Sequence, residues 1–227
     1  MLTINQLIVS YGEKTILEDL SIRFGEAKIH GLVGLNGSGK TTLLNTIYGF
    51  KKCVSGSILY DDKPVRRTDM SFLETENYFY PNITGKEYLS LFEPAGKDST
   101  DIWNRLFKLP LDRIIDGYST GMKRKLALMA TLIQDKPVII LDEPFNGLDI
   151  EASKVLSMVI SRLRDKGRTI IVTSHILESL TGICDYIHYL NNCKIQFSRT
   201  KDQFGEISAE LFSELEAGYA GMIEEII

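Results

Sequence analysis

No apolar run in this chain of 227 residues reaches the ~18–20 residues that a bilayer-spanning helix needs. No basic-then-apolar leader stands at the start. Both absences point to a protein that is cytosolic, or attached to a membrane only through a partner. Cysteine is scarce. Cys53, Cys184 and Cys193 are odd in number and lack C-x-x-C spacing, so reduced thiols are expected. Three histidines, His30, His175 and His188, are too scattered in sequence to indicate a metal site. A basic excess is missing too: 26 Lys and Arg stand against 30 Asp and Glu, for a net charge of −4. That argues against a nucleic-acid binder, which would carry a basic footprint. The local clusters Lys51-Lys52, Arg66-Arg67 and Lys123-Arg124-Lys125 read as solvated faces. There is no internal repeat and no low-complexity segment. What remains is an ordinary globular composition, 44% hydrophobic and 25% charged. The chain is long enough for one large domain, or one domain with a subdomain.

The most informative stretch runs Gly34-Leu35-Asn36-Gly37-Ser38-Gly39-Lys40-Thr41-Thr42 and fits G-x-x-x-x-G-K-[ST]. The run before it, Ala27 to Val33, reads as a strand. The run after it places Leu43, Leu44 and Ile47 at helical spacing. Glycines let successive backbone N–H groups curl around a phosphate without Cβ clashes. The helix that follows aims its positive dipole end at the same anion. Lys40 adds a full charge toward the β- and γ-phosphates, and the Thr41 hydroxyl is of the type that ligates Mg²⁺. A bound nucleotide is expected.

Upstream, Leu2–Tyr11 and Ile16–Phe24 alternate as strands about a turn at Gly12-Glu13-Lys14, and Gly56–Tyr60 is a further short strand. Between about Thr75 and Leu111 the pattern turns helical. Thr84 and Glu87 have capping-box spacing before Tyr88 and Leu89, and Ser99 and Thr100 are placed to cap a helix with Ile102, Trp103, Leu106 and Phe107. From Gly121 a helix shows Leu126, Met129, Ala130 and Ile133 on one face. Val138–Leu141 and Thr169–Thr173 are continuous apolar runs, as in strands buried on both sides of a parallel sheet, and Tyr186–Leu190 is another. Asp149 is placed to cap a helix that ends at Gly167. A helix over Ser208–Leu215 is possible in the tail. Strands alternating with helices predict an α/β doubly wound sheet with its ligand beyond the carboxyl ends of the strands.

Asp142 and Glu143 directly follow the strand Val138–Leu141. Asp142 is placed to hold Mg²⁺ and Glu143 to orient an attacking water, a division of labour that suits γ-phosphate hydrolysis. Ser119 and the backbone around Gly121 open a helix and offer donors to a second anion. His175 stands at a strand end as a candidate γ-phosphate contact. Tyr11, closing the first strand, is a candidate to stack on adenine.

Taken in order, these segments resemble the nucleotide-binding subunit of ABC transporters over about Leu2 to Leu190. Gly34–Thr42 looks like the Walker A loop and Val138–Glu143 like Walker B. Tyr118–Met122 resembles the signature, although Leu, the first Gly and Gln of the usual Leu-Ser-Gly-Gly-Gln are here Tyr118, Thr120 and Met122. Asn146–Asp149 is similar to the D-loop. The resemblance implies a P-loop NTPase fold of the ABC ATPase type. It has a mostly parallel sheet core, an N-terminal antiparallel β subdomain and a small helical subdomain. Residues 1–227 then form one ABC ATPase domain. Core and β subdomain take 1–74 and 134–198, the helical subdomain about 75–133, and 199–227 a tail without assigned role. It implies ATP and Mg²⁺ as ligands, with Glu143 and His175 catalytic and Thr41 and Asp142 at the metal. Ser119 and Gly121 would act across a dimer whose D-loop carries Asp149. Partners would be a second ATPase subunit, like or unlike, and a separate integral membrane permease, with no nucleic acid. The chain would sit in the cytoplasm, peripheral at the membrane's cytoplasmic face. The Tyr-Ser-x-Gly-Met form tilts toward export-type and antibiotic-resistance-type members. The family's glutamine should fall near Thr75 but is missing from Leu73-Glu74-Thr75-Glu76-Asn77. Glu74 or Glu76 takes over its metal-water contact, or the coupling loop works differently. Two alternatives stay open: a soluble ABC-type ATPase acting on nucleic acid or the ribosome, and a nucleotide sensor with low turnover.

Overall fold

The computed structural model describes residues 1–96 and 99–207. The possible helix at Ser208–Leu215 lies outside them. β1 (Leu2–Tyr11) and β2 (Lys14–Phe24) pair antiparallel about Gly12-Glu13. Leu2, Ile4, Leu7 and Val9 point inward and are fully buried or nearly so. The slip between Ile4 and Leu7 is a bulge, with Gln6 at φ 46°. β3 (Ile29–Val33) is buried along its whole length, and α1 (Lys40–Tyr48) follows it. β4 (Ser55–Tyr60) returns to the free edge of β1, and the two-residue β5 (Lys63–Pro64) completes a four-stranded sheet in the order β2-β1-β4-β5.

β6 (Met70–Leu73) belongs to a second sheet. Three helices then intervene: α2 (Gly85–Ser90), α3 (Thr100–Phe107) and α4 (Thr120–Leu132). The capping box is present, since Thr84 Oγ1 accepts from the Glu87 N–H and Glu87 accepts from the Thr84 N–H. After α4 come β7 (Val138–Leu141), α5 (Ile150–Asp165), β8 (Thr169–Thr173), α6 (Leu177–Thr181), β9 (Tyr186–Asn191) and β10 (Lys194–Thr200). The second sheet runs β10-β9-β3-β8-β7-β6, and every neighbouring pair is parallel except β9–β10.

This sheet is the middle layer. One face presents Ile29, Ile139, Leu141, Ile170 and Val172 to the helical side with α4 and α5. The other presents Leu32, Ile140 and Ile171 to α1 and the antiparallel sheet. Burial on both faces explains why β3, β7 and β8 read as unbroken apolar runs rather than alternations. Each such Leu or Ile contributes roughly 1.5–3 kcal/mol by leaving water. Because β3, β8, β7 and β6 are parallel neighbours, their carboxyl ends lie along one edge. Leu32 pairs with Thr173, Leu141 with Val172 and Leu73 with Leu141. The segments that leave this edge therefore converge.

Candidate nucleotide site

The loop from Gly34 to Gly39 joins β3 to α1. At Gly34 a Cβ would lie 2.4 Å from the Leu190 carbonyl oxygen and 2.6 Å from Ser38 Oγ, so no other residue fits. Gly39 sits at φ 104°, a conformation that side chains strongly disfavour. The first turn of α1 holds no acidic residue and no side-chain cap, so its N–H groups face outward unclaimed. Ser38 Oγ is buried without a hydrogen-bond partner among the described residues. Lys40 is buried, and its Nζ donates to the carbonyls of Gly34 (2.8 Å) and Leu35 (3.1 Å). Burial lowers its pKa, while Glu143 and Asp142 pull the other way.

Across the loop lies Asp142, 1% exposed, at the end of β7. Three hydroxyls donate to its carboxylate. Thr41 Oγ1 (2.9 Å) and Thr75 Oγ1 (2.8 Å) reach Oδ2, and Thr173 Oγ1 (2.6 Å) reaches Oδ1. Glu143 follows in a left-handed backbone, φ 49°. Its N–H donates to Thr173 Oγ1 at 2.8 Å. Its Oε2 accepts from the His175 N–H (3.3 Å) and stands 2.9 Å from His175 Nδ1. Glu143 and His175 therefore form a pair, one side chain sheltered and the other half exposed.

A cavity of about 640 Å³ separates the two walls. Asn36, Gly37, Gly39, Lys40, Thr41 and Thr42 form one wall, and Asp142, Glu143 and His175 the other. Leu35 and Ser38 border a second cavity of about 280 Å³ on the outer side of the loop, beside Asn191 and Cys193. Tyr11 is exposed and stands outside the main cavity, with Lys51 Nζ 3.9 Å above its ring. It pairs across the hairpin with Lys14, which does line the cavity. Ser119, Gly121 and Asp149 are absent from these walls. Ser119 Oγ caps α4 by accepting from the Met122 N–H (3.3 Å). A Cβ on Gly121 would meet the Gly147 carbonyl oxygen at 3.2 Å. Asp149 caps α5 through the Ala152 N–H (2.7 Å) and pairs with Lys125 Nζ (2.9 Å).

Several participants are not evident from the sequence. Lys14 and Ile16 come from β2, and Thr173 contributes a hydroxyl from inside β8. Thr75, where glutamine is missing, places its hydroxyl on Asp142. Glu74 and Glu76 border an adjoining cavity of about 360 Å³ together with Thr41, Thr75 and Asp142, and burial and Asp142 raise the pKa of Glu74. The reading of Lys123-Arg124-Lys125 as a solvated face fails at its centre. Arg124 is buried, because its guanidinium reaches four backbone carbonyls beneath the site.

Residues 17–146 match the family model for ABC transporters. The lantibiotic transport ATP-binding protein SrtF of Streptococcus pyogenes is 32% identical over 222 residues, covering 94% of this chain and 96% of that protein. A putative ABC transporter ATP-binding protein of Bacillus subtilis, AlbC, is 33% identical over 204 residues, covering 81% and 84%. Among solved structures, an ATP-binding subunit of an ABC transporter superposes with a TM-score of 0.86 at 27% identity, covering 95% and 99%. With the phosphate loop, the Asp142-Glu143 pair and the sheet order in place, the chain belongs to the ABC transporter ATP-binding family and is an ATP-binding, ATP-hydrolysing subunit of that kind.

Proposed function

We propose that two such subunits, like or unlike, close head to tail on two ATP molecules and drive a separate membrane permease. Each ATP would lie between the Gly34–Thr42 loop of one subunit and the Ser119 helix of the other. The observation that carries this reading is the incompleteness of the single chain. Its cavity has the phosphate loop and the Glu143–His175 pair, while exposed Ser119 caps a helix away from it. A helix that presents a hydroxyl and free N–H groups to solvent suits an anion supplied from outside. The relative named for lantibiotic transport supports an export-type assembly.

Lys40 would exchange its two loop carbonyls for phosphate oxygens. Glu143 would accept a hydrogen bond from the attacking water, and its contact with His175 would hold the ring toward the γ-phosphate. Mg²⁺ fits the donors present, because Thr41 and the Asp142 carboxylate offer the oxygen ligands a hard cation takes. When bound it would neutralise charge on the phosphate oxygens. Loss of the γ-phosphate removes contacts at the seam and reopens the dimer. The permease would meet the surface from Thr75 to Glu87, a reading supported by the exposure of Tyr78 and Tyr80.

Glu143→Gln tests this. Hydrolysis should fall about 100-fold or more, as for loss of a general base. Sedimentation with ATP should show an assembly of twice the single-chain mass. A variant that hydrolyses as fast as the parent would overturn the role of Glu143. One that stays a monomer with ATP would overturn the shared seam.

A further inference from the structure

Arg124 departs from its neighbours in α4. Lys125 reaches outward to Asp149, whereas Arg124 is 7% exposed and turns beneath the site. Its Nη1 donates to the carbonyls of Glu74 (2.7 Å) and Thr75 (3.2 Å). Its Nη2 donates to those of Asp142 (2.8 Å) and Glu143 (2.7 Å). These carbonyls belong to the segments that leave the neighbouring strands β6 and β7. One planar cation therefore joins the loop that bears Thr75 to the loop that bears Glu143. It does so from the helix capped by Ser119.

The arrangement is costly as a device for stability alone. A buried charge costs several kcal/mol unless it is well compensated. The partners of this guanidinium are carbonyl dipoles rather than a carboxylate side chain, and its Nε has no partner among the described residues. What it gains is control of geometry. Glu143 carries a side chain in the left-handed region, which costs roughly 1–2 kcal/mol. Both of its peptide groups are held, the N–H by Thr173 and the C=O by Arg124 at 2.7 Å and, at 3.2 Å, by the Asn146 N–H. Without the charged donor only the longer, neutral Asn146 N–H bond holds that C=O, and the backbone can relax to ordinary φ and carry the carboxylate away from His175 and the cavity. A lysine cannot reproduce the hold, since a single ammonium lacks the fork that spans two loops.

We propose that Arg124 is a positioning residue for ATP hydrolysis: it fixes the left-handed backbone of Glu143 and the Thr75 loop as one unit, tied to the helix of Ser119. The inference rests on Glu143 as the residue that orients water.

Three variants of the full chain test it, Arg124→Lys, Arg124→Met and Arg124→Ala. Equilibrium binding of a fluorescent ATP analogue and KM for ATP should stay within about 3-fold of the parent, because the phosphate loop is untouched. The kcat should fall about 10-fold for Arg124→Lys and about 100-fold for Arg124→Met, as for a misplaced catalytic group. Guanidinium added at millimolar concentration should restore part of the kcat of Arg124→Ala and leave that of Arg124→Lys unchanged. A crystal structure of Arg124→Lys should show Glu143 out of the left-handed region. If Arg124→Met or Arg124→Ala does not fold, Arg124→Lys decides. Parent-like kcat in Arg124→Lys, or kcat and nucleotide binding lost together, overturns the proposal. A parent-like Arg124→Lys beside an inactive Glu143→Gln would sink the tether alone and leave Glu143 in place.

Discussion

His30 and His188 form a hydrogen-bonded chain whose proton positions can be deduced. Gly25 O only accepts, so His30 Nε2 carries the hydrogen across 3.2 Å. The neutral ring then accepts at Nδ1, so His188 Nε2 donates across 3.0 Å. His188 Nδ1 in turn accepts from the Ser198 hydroxyl at 2.7 Å. Burial holds both rings neutral and lowers their pKa values to about 4 for His30 and about 3 for His188. In the unfolded chain they titrate near 6.5. The unfolded chain therefore binds more protons below about pH 6.5, and stability falls as pH drops from there toward 4 and 3. Each ring adds a slope of up to about 1.4 kcal/mol per pH unit. Urea unfolding between pH 6.5 and 4.5 should show this loss, and His188→Gln should flatten it by about half. An identical pH dependence in parent and variant would refute the account. Thr75 yields a second expectation. Thr75→Val keeps the shape but removes the donor to Asp142, so the Mg²⁺ concentration for half-maximal hydrolysis should rise about 10-fold. An unchanged Mg²⁺ titration would mean that the hydroxyl does nothing for the metal. The loop Gly34–Thr42 was legible because its chemistry is contiguous. The histidine chain and Arg124 were not, because their partners lie 158 and 18 to 50 positions away. A buried arginine inside a Lys-Arg-Lys triplet has no local mark that separates it from a surface one.

α3 shows how an element can form from the expected residues by another route. Ser99 reads as its cap, but at φ −105° and ψ −8° it lacks the extended backbone a cap requires, and its side chain caps nothing. The Glu93 carboxylate does the work instead. It accepts from the N–H and the hydroxyl of Ser99 and from the N–H (3.2 Å) and hydroxyl (3.1 Å) of Thr100. An anion at a helix start also meets the positive end of the dipole. Glu93→Ala should cost about 1–2 kcal/mol and raise amide exchange across residues 99–107. Nucleotide binding should not change, since Glu93 is remote from the cavity walls. Exchange that stays at the parental level would show that α3 is held by packing alone. The strands that were legible are β1 through β4 and β7 through β9, which are long, apolar or bounded by turn residues. β6 escaped because it is four residues, Met70-Ser71-Phe72-Leu73, with a buried serine that breaks the apolar run. β10 escaped because it is an edge strand with alternately exposed Lys194, Gln196 and Ser198, and its partner β9 supplies the order. Ile102 and Leu106 of α3 remain 62% and 46% exposed, so an apolar spacing did not translate into burial there.

The molecule as a whole is arranged so that one edge of the six-stranded sheet gathers the chemistry while a second surface is fastened to it. Gly121 abuts the Gly147 carbonyl, and Lys125 is paired with Asp149, so the starts of α4 and α5 are tied together. Arg124, on the same helix, reaches the loops that carry Thr75 and Glu143. A ligand seated on Ser119 from outside would therefore press on the chain's own cavity through few intermediates. This arrangement makes a specific demand on Ser119. In the proposed head-to-tail dimer a carboxylate there would face the phosphates of the opposing subunit's ATP, and like charges at such a desolvated seam repel by several kcal/mol. Its effect within the chain should be small, because Ser119 is exposed and its cap on α4 contributes about 1 kcal/mol. Ser119→Glu placed in the Glu143→Gln background should thus bind ATP as a monomer with the affinity of its parent, yet fail to reach twice the single-chain mass in sedimentation with ATP. Ser119→Ala should retain the dimer with weaker association. If Ser119→Glu still dimerises with ATP, the two nucleotides are not shared across that helix, and the coupling between the halves must run through another surface.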